Sequence, residues 1–207
     1  MATWTALYIN HSDLDKVTLQ IKDFTGITDI EKGIYPEDFY DSYLLQSTIP
    51  NYLVVGQTQN DWITVRFNSF SKLEDWGVSI SNSFSCKVII TMAQSVTDAY
   101  YFALYDKGHK LREIEVGQDD SKNIDLGKHF DFEGEKIGKR KEYDNEVYYN
   151  FDFECIDEYC EKFGLTIQSD YDNVKWTILK GEQNQPKISD YIKSLNRQQK
   201  KPWWKFW

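Results

Sequence analysis

Histidines, cysteines, clustered acids and one glycine–lysine loop are the residues here whose types and spacing could do chemistry. The three histidines are His11, His109 and His129. Imidazole titrates near neutrality and serves as general acid or base once a partner orients it. None of the three stands in a motif with a nucleophile, and the chain has no GxGxxG, GxSxG or HExxH. His11 falls beside a helix start, His109 in a hairpin turn and His129 in a loop, so all three read as solvent-exposed. Cys86, Cys155 and Cys160 are too few and odd in number for a disulfide framework. Five residues separate Cys155 from Cys160, which on a helix sets them about 140° apart, too divergent for one metal. GEKIGKR, residues 134–140, is one residue short of a phosphate-cradling loop, and Arg140 replaces the Mg²⁺-binding hydroxyl. It reads as a solvated basic loop. Asp152, Glu154, Asp157, Glu158 and Glu161 crowd one helix, where a charged face in water explains them better than paired catalytic carboxylates. DYDNVKW lacks the glycine and distal glutamate of a calcium loop. No catalytic residue, metal site or cofactor follows, and the reading leans away from an enzyme.

The elements that would carry these residues alternate between strand and helix. Trp4–Ile9 is a β-prone run, and Ser12 is the expected cap of a helix with Leu14, Val17, Leu19, Ile21 and Phe24 inward, ended by Gly26. Residues 52–55 and 62–67 read as strands joined by a turn. Ser71-Lys72-Leu73-Glu74 has the form of a capping box, which predicts a helix from Ser71. Lys87–Met92 is a strand, and Ala99–Tyr105 and Lys110–Val116 flank Asp106-Lys107-Gly108-His109, a strong hairpin signal. Residues 117–145 read mostly as loop, with a strand at 147–151 and a helix from Asp152 stopped by Gly164. Short strands are expected at 165–168 and 174–179. Hairpins imply antiparallel pairing, so the fold class is α+β: a mainly antiparallel sheet with helices packed on one face, over residues 1–181.

Residues 182–207 form a separate appendage. Ile188, Tyr191, Ile192 and Leu195 give an amphipathic helix, and an aromatic tail follows with three of the seven tryptophans in its last five residues. This stretch carries +4; with −9 on the whole chain, −13 falls on residues 1–181. Such a body repels phosphate backbones, which argues against nucleic acid, and attracts basic proteins. With no basic, apolar leader visible, the expected location is cytoplasmic. No run approaches the roughly 20 apolar residues of a membrane span.

Two features suit a partner. Trp203, Trp204, Phe206 and Trp207 need burial: in the chain's own groove, in a partner protein, or at a membrane interface, where Lys200, Lys201 and Lys205 would help. IYPEDFYDSY sets Tyr35, Asp38, Tyr40 and Asp41 as tyrosines among carboxylates, a composition suited to a basic protein surface. The alternative there is that Tyr35, Phe39 and Tyr43 simply pack the segment onto the sheet.

Residues 61–117 place a tryptophan strand, a helix, a strand and a hairpin with a D-x-G turn in order. This pattern resembles a recurring unit of small uncharacterised bacterial proteins, some of them immunity-like proteins encoded beside secreted toxins. The resemblance covers under a third of the chain and carries over no functional residue. It implies a bacterial cytosolic protein that binds a partner. The function expected is therefore a non-enzymatic protein-binding module, immunity-like, occluding a basic effector. Two alternatives stay open: a small-molecule-binding domain or enzyme with a site assembled from distant residues, and a membrane-surface protein held by its tail.

Overall fold

The computed structural model describes residues 3–45, 48–59, 61–117, 123–133, 141–143, 146–148, 151–167 and 171–181. The expected amphipathic helix, the tail with Trp203, Trp204, Phe206 and Trp207, and the GEKIGKR loop lie outside the described residues.

Strand β1 (Thr3–Ile9) is apolar on both faces because both are buried. It lies in the middle of a nine-stranded antiparallel sheet ordered β2-β11-β3-β4-β1-β5-β6-β7-β8 among the described residues. The other strands are β2 (Ile30–Gly33), β3 (Tyr52–Gln59), β4 (Trp62–Phe67), β5 (Lys87–Gln94), β6 (Ala99–Asp106), β7 (His109–Val116), β8 (Ile124–Gly127) and β11 (Trp176–Lys180). Strands β9 (Lys141–Tyr143) and β10 (Glu146–Tyr148) form a separate hairpin. The fold is α+β, as expected, but its helices cover both faces of the sheet. Leu7 and Ile9 join Val17 and Ile21 of α1 (Leu14–Thr25) and Trp76 and Ile80 of α2 (Glu74–Ser83) in one core. Trp4, Ala6 and Tyr8 point the other way, into a second core with Ile156, Tyr159 and Cys160 of α3 (Phe153–Glu161). A third cluster on that second face packs Phe39 and Tyr43, from the 3₁₀ helix Glu37–Leu45, on Tyr52, Val54, Trp176 and Ile178.

Local chemistry explains where the expected boundaries move. Asp13, rather than Ser12, caps α1 by accepting the Lys16 N–H at 3.1 Å. Leu19 faces solvent, off the buried stripe of Val17 and Ile21. The capping box at Ser71 does not form, and α2 begins at Glu74. The Ser71 N–H donates to Ser69 Oγ at 3.1 Å, and the Glu74 carboxylate accepts from Lys110 at 2.6 Å. Asp152 does cap α3, accepting the Cys155 N–H at 3.0 Å. The turn of the β6–β7 hairpin has positive φ at Lys107 (49°) and Gly108 (83°), the conformation a two-residue hairpin favours. The strand expected at 165–168 is absent over its described residues; Leu165 and Ile167 instead plug the second core. Strands β8 and β9 occupy part of the stretch read as loop.

An ion network pins β7 beneath the start of α2. Lys110 bridges Glu74 (2.6 Å) and Glu113 (2.8 Å), while Lys72 bridges Glu113 (3.5 Å) and Glu115 (2.6 Å). Burial opposes ionisation of Glu113, but Lys110 and Lys72 outweigh it and hold its carboxyl below the ordinary value of 4.5. A folded-state pKa below the unfolded one gives stability that is present above about pH 4.5 and is lost as pH falls through the folded value. Glu113→Gln is therefore expected to be less stable than the parent at pH 7. The gap should narrow towards pH 3, as read by urea midpoints at the two pH values.

Candidate functional site

The acidic, tyrosine-rich segment is two-sided. Phe39 and Tyr43 are buried, while Asp38, Tyr40, Asp41 and Leu44 are exposed. Several contacts hold the segment in that orientation. Phe39 N–H donates to Pro36 O at 3.2 Å, opening the 3₁₀ helix after the proline. Tyr43 Oη accepts the Thr5 N–H of the central strand at 3.1 Å. Asn68 Nδ2 donates to Ser42 O at 3.1 Å. Asp38 accepts from Tyr52 Oη at 2.7 Å and pairs with Lys180 at 3.3 Å, and Lys180 also stands 4.7 Å from the Tyr52 ring centroid. The Tyr52 hydrogen bond, joined by Lys180, holds the Asp38 carboxyl below the usual range. Burial first, then Asp38, pushes the Tyr52 phenol up, so it remains a donor.

The four residues singled out in this segment therefore divide. Tyr40 is 54% exposed and Asp41 is exposed, so both are available to a partner. Asp38 is solvent-exposed but serves to clamp the segment to β3 and β11. Tyr35 turns inward, stacking on Tyr171 at 5.4 Å and meeting Trp176 edge-on at 5.2 Å. Sequence reasoning missed the exposed apolar company of Tyr40. Among the described residues, five of the eleven exposed large hydrophobics fall within residues 30–49: Ile30, Ile34, Tyr40, Leu44 and Ile49. Four acids and one lysine share the stretch. Its β-strand, β2, is a fully exposed edge of four residues bearing Glu31 and Lys32, a length and charge that discourage pairing with another chain's strand.

The catalytic candidates disperse. His109 and His129 are exposed, whereas His11 is half-buried against the Phe84 ring (4.7 Å) and accepts the Asp13 N–H at 2.9 Å. Burial pushes the thiols of Cys86 and Cys155 up to about 11 and that of Cys160 further, so none is a thiolate at neutral pH. Glu154, Glu158 and Glu161 lie on the solvent side of α3, as a charged helix face does. No group of three metal-ligating side chains occurs among the described residues. A hollow of about 430 Å³ opens at the ends of β5, β6 and β7, lined by Phe70, Met92, Tyr100, Tyr101 and Val116. Glu115 is the one carboxylate on its described wall, and Lys72 already pairs with it. No acid–base pair converges there.

No protein-family model matches the chain, and no curated protein or solved structure matches it either. Among the described residues, no helix is long and apolar enough to cross a membrane.

Proposed function

We propose that this chain is a protein-binding module and that residues 30–49 form its contact surface. The observation that carries the reading is the two-sided segment: Phe39 and Tyr43 anchor it in the core, while Tyr40, Leu44, Ile34 and Ile49 stand in water among acids. Exposed apolar side chains rimmed by charge are the usual composition of a docking patch. The acids, with −13 on residues 1–181, select a basic partner and speed its encounter. The body would act by covering that partner's working region, as an immunity-like protein does, in the cytoplasm of a bacterium. The element order of residues 61–117 — strand, helix, strand, hairpin — is compatible with the resemblance noted above.

The test uses the full chain as bait in native lysate. A basic protein should be captured, with retention falling as salt rises. Tyr40→Ala/Leu44→Ala should weaken capture about thirtyfold or more, the loss of an interface anchor. Leu19→Ala, on the exposed side of α1, should leave it unchanged. Equal capture by the Tyr40/Leu44 variant would end the reading.

A further inference from the structure

The second face of the sheet buries two arginines, and they are treated differently. Arg112 on β7 is fully enclosed and well paired: Glu133 takes Nε and Nη2 at 2.9 Å each, and Asp125 takes Nη1 at 2.6 Å. Arg66 on β4 is 4% exposed, yet no described carboxylate pairs with it. Its Nε donates to Thr5 O at 3.0 Å and its guanidinium lies 5.7 Å from the Trp4 ring centroid. Its Nη2 has no hydrogen-bond partner among the described residues. A buried charge without a counter-charge is strongly unfavourable, so the arrangement implies a missing partner.

The surroundings supply more donors. Trp4 Nε1 and Tyr35 Oη are also buried with no hydrogen-bond partner among the described residues, and Tyr8 Oη is buried beside the Thr91 hydroxyl. Cross-strand register brings Trp4 and Tyr8 to the same face beside Arg66, while Tyr35 reaches that face from the loop before the 3₁₀ helix, against Tyr171 and Trp176. Arg66 stands opposite Ala6, which lies between Trp4 and Tyr8 on the same face of β1. Arg66 and Thr91 flank Ala6 on either side, with the Trp4 ring against the guanidinium. This is also the seam where apolar packing on the face divides into separate clusters, one under α3 and one under the 3₁₀ helix. Burial bears most strongly on Arg66, and the titratable groups that follow it are Tyr35, Tyr43, Tyr171 and Tyr8, none of them a carboxylate. Burial raises the Tyr8 and Tyr35 phenols, so both remain protonated donors.

We propose that this seam binds one small oxyanion, a phosphate or carboxylate group, on Arg66 with Tyr35 and Tyr8 as hydroxyl donors. Arginine and phenol donors match the lone pairs of such a group. The −13 of the body repels extended polyanions, which confines the ligand to a single small group. Tyr35 and Tyr171 stack at the seam from irregular segments, where side chains can move without breaking the sheet. This site does not rest on the partner surface proposed above.

The experiment follows the thermal midpoint and binding heat of the full chain with inorganic phosphate, acetate or chloride at constant ionic strength. Phosphate or acetate should raise the midpoint saturably where chloride does not, and the one acting at lower concentration identifies the source group. Arg66→Met should need at least about tenfold more ligand for the same rise. Tyr35→Phe, which keeps the charge, should need about two- to tenfold more. The proposal is overturned if neither oxyanion gives a saturable response beyond chloride, or if Arg66→Met responds as the parent does. Should Arg66→Met not fold, parental affinity in Tyr35→Phe overturns it instead.

Discussion

Glu133→Ala is expected to destabilise the protein by about 3–5 kcal/mol, because it strips the bidentate partner from a fully buried guanidinium. Arg112 and Glu133 share two parallel hydrogen bonds of 2.9 Å, both side chains being enclosed. Glu133 Oε1 also accepts the Phe130 N–H at 3.1 Å, fastening the turn that follows β8. After truncation, Asp125 and Leu126 O still hold Nη1, but Nε and Nη2 lose their partners. The cost measured would be mainly that of stranded charge rather than of a lost attraction. Arg112→Met/Glu133→Leu should therefore recover much of the loss, since removing both ions leaves no stranded charge. Urea unfolding of the three variants decides the matter. A loss under about 1 kcal/mol for Glu133→Ala would mean that water reaches the pair.

Trp176→Ala should cost a similar amount, about 3–5 kcal/mol, for a different reason. Its indole is 1% exposed, sits over Gly56 of the paired strand and meets the Tyr35 and Tyr171 rings at 5.2 Å each. Truncation empties the centre of the third cluster. Gly56 makes room for the ring: a Cβ there would stand 2.7 Å from Trp176 Cε3. Gly56→Ala is accordingly expected to destabilise the parent, and to do so less in the Trp176→Ala background. Relief would be partial, because Val174 Cγ1 would lie 2.8 Å from the same Cβ. A double-mutant cycle on unfolding free energies reads this coupling, and strict additivity would refute it.

Much of this fold was legible where one residue type forces one geometry. Lys107-Gly108 dictated the β6–β7 hairpin, and Asp152 with Ile156, Tyr159 and Cys160 dictated the cap and inward face of α3. The two-sided covering of the sheet was not legible. Strands such as TWTALYI carry bulky apolar residues on both faces, so their pattern does not show which helix covers which face. Strand β8 escaped notice because three of its four residues are exposed and it pairs along one edge only. In the candidate surface, composition singled out Tyr35 and Asp38 alongside Tyr40 and Asp41, and only tertiary contacts divide them. Ring partners draw Tyr35 inward, and Tyr52 with Lys180 engages Asp38. Arg66 shows the same limit. WITVRF and HKLREIEV both place an arginine in a strand, and only the fold reveals that Arg112 has carboxylates while Arg66 has none among the described residues.

The central position of β1 bears on biosynthesis. Its neighbours lie far along the chain: Ile9 pairs with Ile63 on one side and Val88 on the other. At a ribosomal rate of about 5–20 residues per second, β1 waits roughly 4–16 s between its own appearance and that of β5. During that interval the edge of β1 that β5 will pair has no native cover, and the face that α3 will cover stays open longer still. Nascent chains stalled before Val88 should therefore recruit holding chaperones, and release should come as the middle of the sheet closes around its earliest strand.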